Sequence, residues 1–245
     1  MSENLVIVST IEDVKQRYGI KSNELCLPII SPSILSGGDQ AWVITSKNPR
    51  TLQSMNFGFT SHRSKTRTDL LNLRTDDFEK EDDDMEYDRL MNIFINRQLI
   101  QSLNAFRCVV MVDAFLVTSP DNRIYLIHMQ NHERPFAIAG IYDHWKDQLT
   151  DKFLTGFTII TAESNPMLKR IGIDHMPAIL TKNKVFDWLD LNKRMAQILP
   201  FLHTFPDETM NGYPVSSHIY SGQTTGQILN PIGQKLKPDQ VKLPK

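Results

Sequence analysis

The chain has 245 residues, of which 40% are hydrophobic, and a formal net charge of −1 at pH 7. This length and apolar content can form a sizeable core, in one large domain or two small ones. A net charge this close to zero excludes a global basic field, so any nucleic-acid binding requires a local patch. No linker divides the chain, and we predict one domain over residues 1–245, with an extended tail from about residue 231.

The cysteines and the N-terminus indicate the compartment. Cys26 and Cys108 lie in apolar contexts without the spacing of a disulfide framework, so we expect buried thiols in a reducing compartment. The opening residues lack a basic, apolar leader, and no window is long enough to cross a bilayer. We therefore expect a cytoplasmic protein without a membrane partner, and we predict no cofactor and no metal site.

The first elements along the chain are a strand and a helix. Leu5 to Val8 predict the strand. Ser9 stands three residues before Glu12, a spacing typical of a capping box, and Gly19 is placed to end the helix. A proline-containing loop over residues 27–32 and a strand over residues 41–45 follow.

An acidic segment occupies residues 79–88. Apolar residues then recur at intervals of three and four, with Arg97 late in the pattern, so the spacing and the charge order predict a helix from about Asp83 to Leu103. The acidic face of this helix is either simply solvated or a contact surface for a protein partner.

The central stretch, residues 107–145, predicts three consecutive strands that form a meander. An apolar run from Cys108 to Val117 is followed by a turn at residues 119–122, a second strand at residues 124–129 and a third at residues 136–142. Asp113 is the polar exception in the first run. A buried carboxylate needs partners, so Asp113 is either a structural hydrogen-bond acceptor or part of a site.

Several short motifs resemble those of one family. They are Arg107-Cys108, Asp113-x-Phe115, Pro135-Phe136-Ala137, Ala139-Gly140 and Trp145 in the centre, Asn56 to Phe59 and Asn72-x-Arg74 before it, and residues 157–165, 175–180 and 213–216 after it. In this order they resemble the SOS-response-associated peptidase family over roughly residues 5–231. The resemblance implies an α+β fold: a single domain with a mainly antiparallel, barrel-like β core and flanking helices.

The resemblance also implies which positions carry chemistry. Active family members use an N-terminal cysteine, a glutamate and a histidine to link covalently to abasic sites in single-stranded DNA and to cleave their own N-terminus. These positions fall on Ser2, Val117 and Ile173. A serine needs a base beside it to act as a nucleophile, and neither aliphatic residue can be one, so we expect no catalysis. His175 falls on the family's arginine, and we interpret it as a non-catalytic surface or loop histidine.

Binding residues can be carried over more directly. The family's asparagine-arginine pair, which contacts single-stranded DNA, is retained as Asn72 and Arg74. Phe57 replaces a family tryptophan, and Arg63 belongs to a basic loop with His62, Lys65 and Arg67 that could meet phosphates or simply be solvated. We predict Asn72, Arg74, Arg63 and Phe57 as DNA-binding residues, with single-stranded DNA as a weak partner.

Three hypotheses remain open at this point. The first is an inactive family member with a weak groove for single-stranded nucleic acid. The second is a protein-interaction or regulatory module that uses the acidic helix as its contact surface. The third is an enzyme with a relocated site, for which Asp113, Glu163, Asp174 and His175 are candidates.

Overall fold

The computed structural model describes residues 4–75, 92–94, 96–130, 133–220 and 229–236. The strands are β1 (Asn4–Ile7), β2 (Ser22–Leu25), β3 (Ser33–Leu35), β4 (Gln40–Thr45), β5 (Thr51–Phe57), β6 (Asn72–Arg74), β7 (Arg107–Val112), β8 (Ala114–Thr118), β9 (Ile124–Met129), β10 (Phe136–Lys146), β11 (Phe153–Glu163), β12 (His175–Pro177), β13 (Ile179–Leu180) and β14 (Met210–Val215). The α-helices are α1 (Ile11–Tyr18), α2 (Arg97–Ala105), α3 (Pro166–Lys169), α4 (Val185–Leu189) and α5 (Met195–Ile198).

Five strands close into a barrel in the order β11, β10, β7, β4, β5, with β5 pairing back to β11. The first four pairings are antiparallel, and the closing pair is parallel. Every residue of β7 is buried, because one face lines the barrel and α2 and α4 lie against the strand. The predicted α+β class with a barrel-like, mainly antiparallel β core is therefore confirmed.

Strands outside the ring extend this sheet and build a second one. In the first sheet β6 and β12 pair with β11, β13 pairs with β10, and β2 pairs with β5. The second sheet has the order β14, β9, β8, β1, β3, and all of its pairings are antiparallel. The core residues of the barrel and of this second sheet's inner face form one large apolar cluster.

The predicted three-strand meander is wrong. The apolar run divides at Asp113 into β7, which belongs to the barrel, and β8, which belongs to the second sheet. β8 and β9 do form an antiparallel pair, but the third strand, β10, pairs with β7 and not with β9. Because an unbroken apolar run carries no signal for where a strand changes sheets, the sequence pattern could not locate this division.

Asp113 is the hydrogen-bond acceptor that the sequence allowed. The residue is 5% exposed, and its carboxylate accepts from the backbone N–H groups of Val8 at 2.6 Å and Ser9 at 2.7 Å. The Ser9 hydroxyl donates to the other oxygen at 2.5 Å. The carboxylate thus fixes the bend between β1 and α1.

Helix α1 is capped one residue later than predicted. Thr10 is the N-cap and Asp13 completes the capping box, while Ser9 is engaged by Asp113. Because both serine and threonine cap well and both acids can close the box, the two registers have similar sequence signals. Gly19 ends the helix with a φ of 63°, as predicted.

The helix predicted over residues 83–103 is much shorter within the part of the chain that can be described. Asn92 forms an isolated bridge to Arg74, and Asn96 caps α2, which runs from Arg97 to Ala105. Residues 76–91, including the acidic segment, lie outside the described residues, so the contact surface proposed there is untested. The bridge to Arg74 interrupts the predicted helix at Asn92, because a residue paired with β6 cannot also be helical.

Arg107 fastens the barrel to the helices around it. Its guanidinium is 1% exposed and donates to three carbonyl oxygens, those of Trp188 at 2.5 Å, Leu103 at 3.1 Å and Asp190 at 2.6 Å. Burial lowers the pKa of this guanidinium from its ordinary value. Trp188 returns a bond from its indole N–H to the carbonyl of Cys108, 2.8 Å away, so that α2, β7 and α4 are joined by polar contacts as well as by packing.

The remaining fold expectations concern the core, the tail and the membrane. Phe115, Phe136, Ala139 and Ile159 are buried, as their positions in the apolar runs predict. The tail begins along β14, where Leu236 donates its backbone N–H to Gly212 at 2.7 Å; residues 237–245 are not described. None of the described helices is long and apolar enough to cross a membrane.

Candidate functional site

The Asn72–Arg74 strand is held on the outside of the barrel ring. β6 pairs in parallel with β11, which places Asn72 opposite Ile159 and Arg74 opposite Thr161. Leu73 is fully buried between them, so the side chains of Asn72 and Arg74 share the other face. The backbone carbonyl of Arg74 also accepts from Ile93 at 3.0 Å, which fixes the strand from its second edge.

Asn72 is the more buried of the two polar residues of β6. The residue is 3% exposed, and its Oδ1 atom has no hydrogen-bond partner among the described residues. A buried amide oxygen without a partner costs about 1–3 kcal/mol. Asn72 and Arg74 thus share one face of β6, and the Asn72 amide oxygen is enclosed by the protein.

Phe57 is placed differently from the other predicted binding residues. Its ring is fully buried and stacks on Phe157, with the centroids 5.1 Å apart and the planes 7° from parallel. The ring thus belongs to the barrel wall and offers no exposed face on which a base could stack. Phe57 is the last residue of β5, and its packing fixes the end of the strand from which the chain enters the basic loop.

The basic loop, defined as residues 59–70, has a fixed base and an exposed tip. Phe59 and Leu70 exchange both backbone hydrogen bonds, at 2.9 and 2.8 Å. The Thr60 hydroxyl accepts from the backbone N–H groups of Thr68 and Asp69. The exposed residues of the loop include His62, Arg63, Lys65 and Arg67, and Arg67 is paired with Asp69 at 2.7 Å.

A buried carboxylate on β10 holds this loop against the barrel. Asp143 is 2% exposed at its side chain, and its Oδ2 accepts from the backbone N–H of His62 at 3.0 Å and lies 2.8 Å from His62 Nδ1. Its other oxygen accepts from the backbone N–H of His144 at 2.7 Å, and the Ser102 hydroxyl lies 3.4 Å from Oδ2. The His62 side chain is 41% exposed, so one ring nitrogen is fixed inside while the other faces the surface.

The loop reaches Asp143 because the strand between them carries a glycine. β11 lies between β5 and β10 in the barrel, and the residue of β11 paired with Asp143 is Gly156. A Cβ atom at Gly156 would lie 2.0 Å from the carbonyl oxygen of Gly58, so any side chain there would expel the loop. Trp145 adds a further anchor, because its indole N–H donates to the Ser64 carbonyl at 2.8 Å.

Two of the three positions at which the resemblance places the family's catalytic residues are apolar. Ser2 lies outside the described residues. Val117 and Ile173 are 1% and 4% exposed and belong to the same apolar core. Gly172 packs against Pro120, just beyond the end of β8, so the segment containing Ile173 lies against the end of the strand that carries Val117.

Neither cysteine replaces the missing thiol. Both are free, and burial raises the pKa of Cys108 well above its ordinary value and also raises that of the half-buried Cys26. Since the thiolate is the nucleophilic form, both groups are poorly suited to attack an electrophile. Within the described ranges there is also no cluster of three or more histidine, cysteine or acidic residues that could hold a metal ion.

The relocated-site hypothesis finds little support in these contacts. Asp113 is committed to Val8 and Ser9, and Glu163 forms an ion pair with Lys169. His175 is half-buried in β12 opposite Glu163, so it belongs to a strand and not to a surface loop as expected. The polar contacts of Asp113 and Glu163 are thus structural.

The His62–Asp143 pair is the arrangement that sequence reasoning missed. A signal for it existed, because Asp143 interrupts an apolar strand just as Asp113 does. Its partner is 81 residues away, however, and no sequence pattern connects His62 to β10.

Comparisons with known proteins agree with the barrel fold. A family model described as SOS response associated peptidase (SRAP) matches residues 6–221. A crystal structure of a protein from Bacteroides thetaiotaomicron is 21% identical, with a TM-score of 0.74 over 94% of this chain and 99% of that chain. A phage-related protein from Bordetella bronchiseptica is 16% identical, with a TM-score of 0.60 over 88% of this chain and 94% of that one. No curated protein matches the sequence significantly.

Proposed function

Because the chain belongs to the SOS-response-associated peptidase family, we propose that it is a non-catalytic member that binds single-stranded DNA weakly and forms no covalent link to it. The observation that carries the non-catalytic half is the burial of Val117 and Ile173, the residues at the family's glutamate and histidine positions. Neither side chain can move a proton. Both side chains belong to the large apolar core cluster.

The binding half of the proposal uses the polar residues that remain. Asn72 and Arg74 share one face of β6, and Arg63 lies on the basic loop that connects β5 to β6. Both positions fit contacts to a phosphodiester backbone, in which cations contribute affinity and fixed polar groups set the position of the strand. Phe57 contributes by packing, since its ring is buried. With no exposed ring at this position, the affinity should be low.

Covalent chemistry is tested with single-stranded DNA that carries an abasic site. The purified protein should give no adduct that survives denaturing electrophoresis, while a family member with the N-terminal cysteine gives one under the same conditions. Ser2→Cys alone should not restore the adduct fully, because positions 117 and 173 still lack an acid or base. A stable adduct of the unaltered protein would overturn the non-catalytic assignment.

Reversible binding is tested by titration with an undamaged oligonucleotide at low and moderate salt. We expect a Kd of about micromolar or weaker that rises steeply with salt. Arg74→Ala should weaken binding by about 1–3 kcal/mol, the range for a charge-assisted hydrogen bond. Lys169→Ala, which removes a cation on α3 that pairs with Glu163, serves as the control and should leave binding unchanged. Absence of binding at low salt would refute this half of the proposal.

A further inference from the structure

One exposed imidazole of the basic loop is oriented by a buried carboxylate, although it lies at none of the positions that the family uses for chemistry. We propose that His62, held by Asp143, contacts a backbone phosphate of single-stranded nucleic acid together with Arg63. The inference rests on the proposed binding function and names a contact within it. Asp143 acts as a positioning residue, because it touches His62 and not the ligand.

Two contacts with Asp143 set the orientation of the His62 ring. A buried carboxylate oxygen can only accept, so the 2.8 Å contact makes His62 Nδ1 the protonated donor. The backbone N–H of His62 donates to the same oxygen, which fixes the main chain as well as the ring. The edge of the ring also faces Phe106, with the centroids 6.3 Å apart. His62 Nε2 is therefore directed away from the protein in one defined position.

The second step is the neighbour of that nitrogen. Arg63 Nε donates to His62 Nε2 at 3.4 Å, so the guanidinium and the outward ring nitrogen are adjacent. When the ring is protonated, both groups are donors, and two N–H groups at this spacing can reach oxygens of one phosphate. Protonation of His62 therefore replaces the bond from Arg63 by two adjacent donors, and one phosphate can accept from both.

The third step is rigidity. The loop is closed by the Phe59–Leu70 bridge and is attached to β10 at two places, through Asp143 and through the Trp145 indole. A site whose groups are already fixed loses less conformational entropy on binding than a flexible basic loop does. This distinguishes the His62 contact from the general attraction of exposed lysines.

The charged and titratable groups around His62 set the expected pH dependence. They are Asp143 and His144 on β10 and Arg63 on the loop, and the centroids of the His144 and Phe106 rings are 6.4 Å apart. Only the protonated ring can donate from both nitrogens, so binding should strengthen as the pH is lowered. Arginine stays charged and contributes a constant amount.

The test uses the full chain with nitrogen-15-labelled histidines, and follows the imidazole signals while an oligothymidine of about ten nucleotides is added. His62→Gln assigns the signal. The same titration with sodium phosphate against sodium chloride at matched ionic strength separates a nucleic-acid backbone from free phosphate. His203, an exposed histidine between α5 and β14, supplies the control signal and the control variant His203→Gln.

We expect the His62 signal to move with the oligonucleotide and the His203 signal to stay fixed. Affinity should be about three- to tenfold higher at pH 6 than at pH 8, corresponding to the net contribution of one hydrogen bond. His62→Gln should remove most of this difference, and Arg63→Ala should lower affinity at both pH values. Asp143→Asn should reduce the pH response while the protein stays folded.

The other possible results distinguish a failure of the His62 contact from a failure of single-stranded DNA binding itself. Oligonucleotide binding without movement of the His62 signal, or with an unchanged pH response in His62→Gln, overturns the His62 contact and leaves the proposed function intact. No oligonucleotide binding, with His62 shifted by inorganic phosphate, refutes the nucleic-acid function and assigns a free-phosphate site. Absence of both refutes both.

Discussion

Two aspartates interrupt apolar strand segments of this protein, and they have different roles. Asp113 stands between β7 and β8, and its partners are two backbone N–H groups and one hydroxyl of the β1–α1 bend. Asp143 stands in β10, and its partners include the ring of a half-exposed histidine. Both side chains are almost fully enclosed by protein.

The difference lies in what each carboxylate holds. The partners of Asp113 do not titrate, and the contact joins two parts of the core, which makes it a structural connection. Asp143 joins the barrel to the exposed basic loop through His62. The His62 ring is also hydrogen-bonded to Arg63. A buried acid within a strand is therefore a sign of a connection, and the chemistry of the partner decides whether it also presents a functional group.

The largest expected effect comes from removing the structural connection. Asp113→Ala leaves the N–H groups of Val8 and Ser9 without their acceptor inside the protein, and should lower the free energy of unfolding by about 3–5 kcal/mol. Urea denaturation measures this, with Asp121→Ala, an exposed acid of the β8–β9 turn, as the control. A loss below about 1 kcal/mol would show that water replaces the carboxylate and that the connection is dispensable.

Adding a side chain at Gly156, where the chain leading into the basic loop passes over β11, should have the next largest effect. In Gly156→Ala the new methyl group meets the Gly58 carbonyl, which cannot yield without moving the loop, so we expect a loss of about 1–3 kcal/mol and a displaced His62. Gly38→Ala is the control, because it has no atom within 4 Å and incurs only the cost of its positive φ. Denaturation together with the His62 imidazole signal separates the two. An unchanged His62 signal in Gly156→Ala would show that the close contact between Gly156 and Gly58 does not position the loop.

Asp143→Asn tests whether the second aspartate acts mainly through its partner. The amide keeps the shape but loses the charge, so we expect a stability loss of about 1–2 kcal/mol and a measurable loss of single-stranded DNA affinity. Asp113→Asn is the matched variant, and it should reduce stability without changing affinity. Equal effects of the two variants on affinity would remove the distinction between the two carboxylates.

The smallest expected effect on stability concerns Asp13, an exposed aspartate that serves as the reference for the two buried ones, Asp113 and Asp143. Asp13 accepts from Thr10, first through its backbone N–H and then through its hydroxyl, and these bonds lower the pKa of Asp13 below its ordinary value of 3.8. Thr10→Ala should lower the free energy of unfolding by about 1 kcal/mol at neutral pH.

The pH dependence of this effect follows from the direction of the shift. A carboxyl whose pKa is lower in the folded state stabilises the fold above the unfolded-state pKa and loses that contribution as pH falls through the folded-state pKa. The part of the Thr10→Ala difference that depends on the Asp13 charge should thus begin to fall as the pH drops below the ordinary pKa of 3.8, and should be lost as the pH falls through the lower folded-state pKa. Denaturation of both proteins at pH 7 and pH 3 checks this, and a difference that grows at pH 3 would contradict the capping geometry.

Local patterns determined much of this protein. The apolar runs predicted the strands, Gly19 predicted the end of α1, and Asp113 in an otherwise apolar run predicted a buried acceptor. The short motifs predicted the barrel-like α+β fold and the family. These features are readable because neighbours in sequence, or single residues in a known order, carry them.

Tertiary structure alone decided the rest. The division of the central run between two sheets depends on which strands lie alongside, and hydrophobicity is the same on both sides of Asp113. The burial of Phe57 against Phe157 and the contact of His62 with Asp143 join residues 100 and 81 positions apart, through a barrel that closes by pairing β5 with β11. Because strand pairing brings distant residues together without any periodic signal in the chain, only the closed barrel fixes which of them meet.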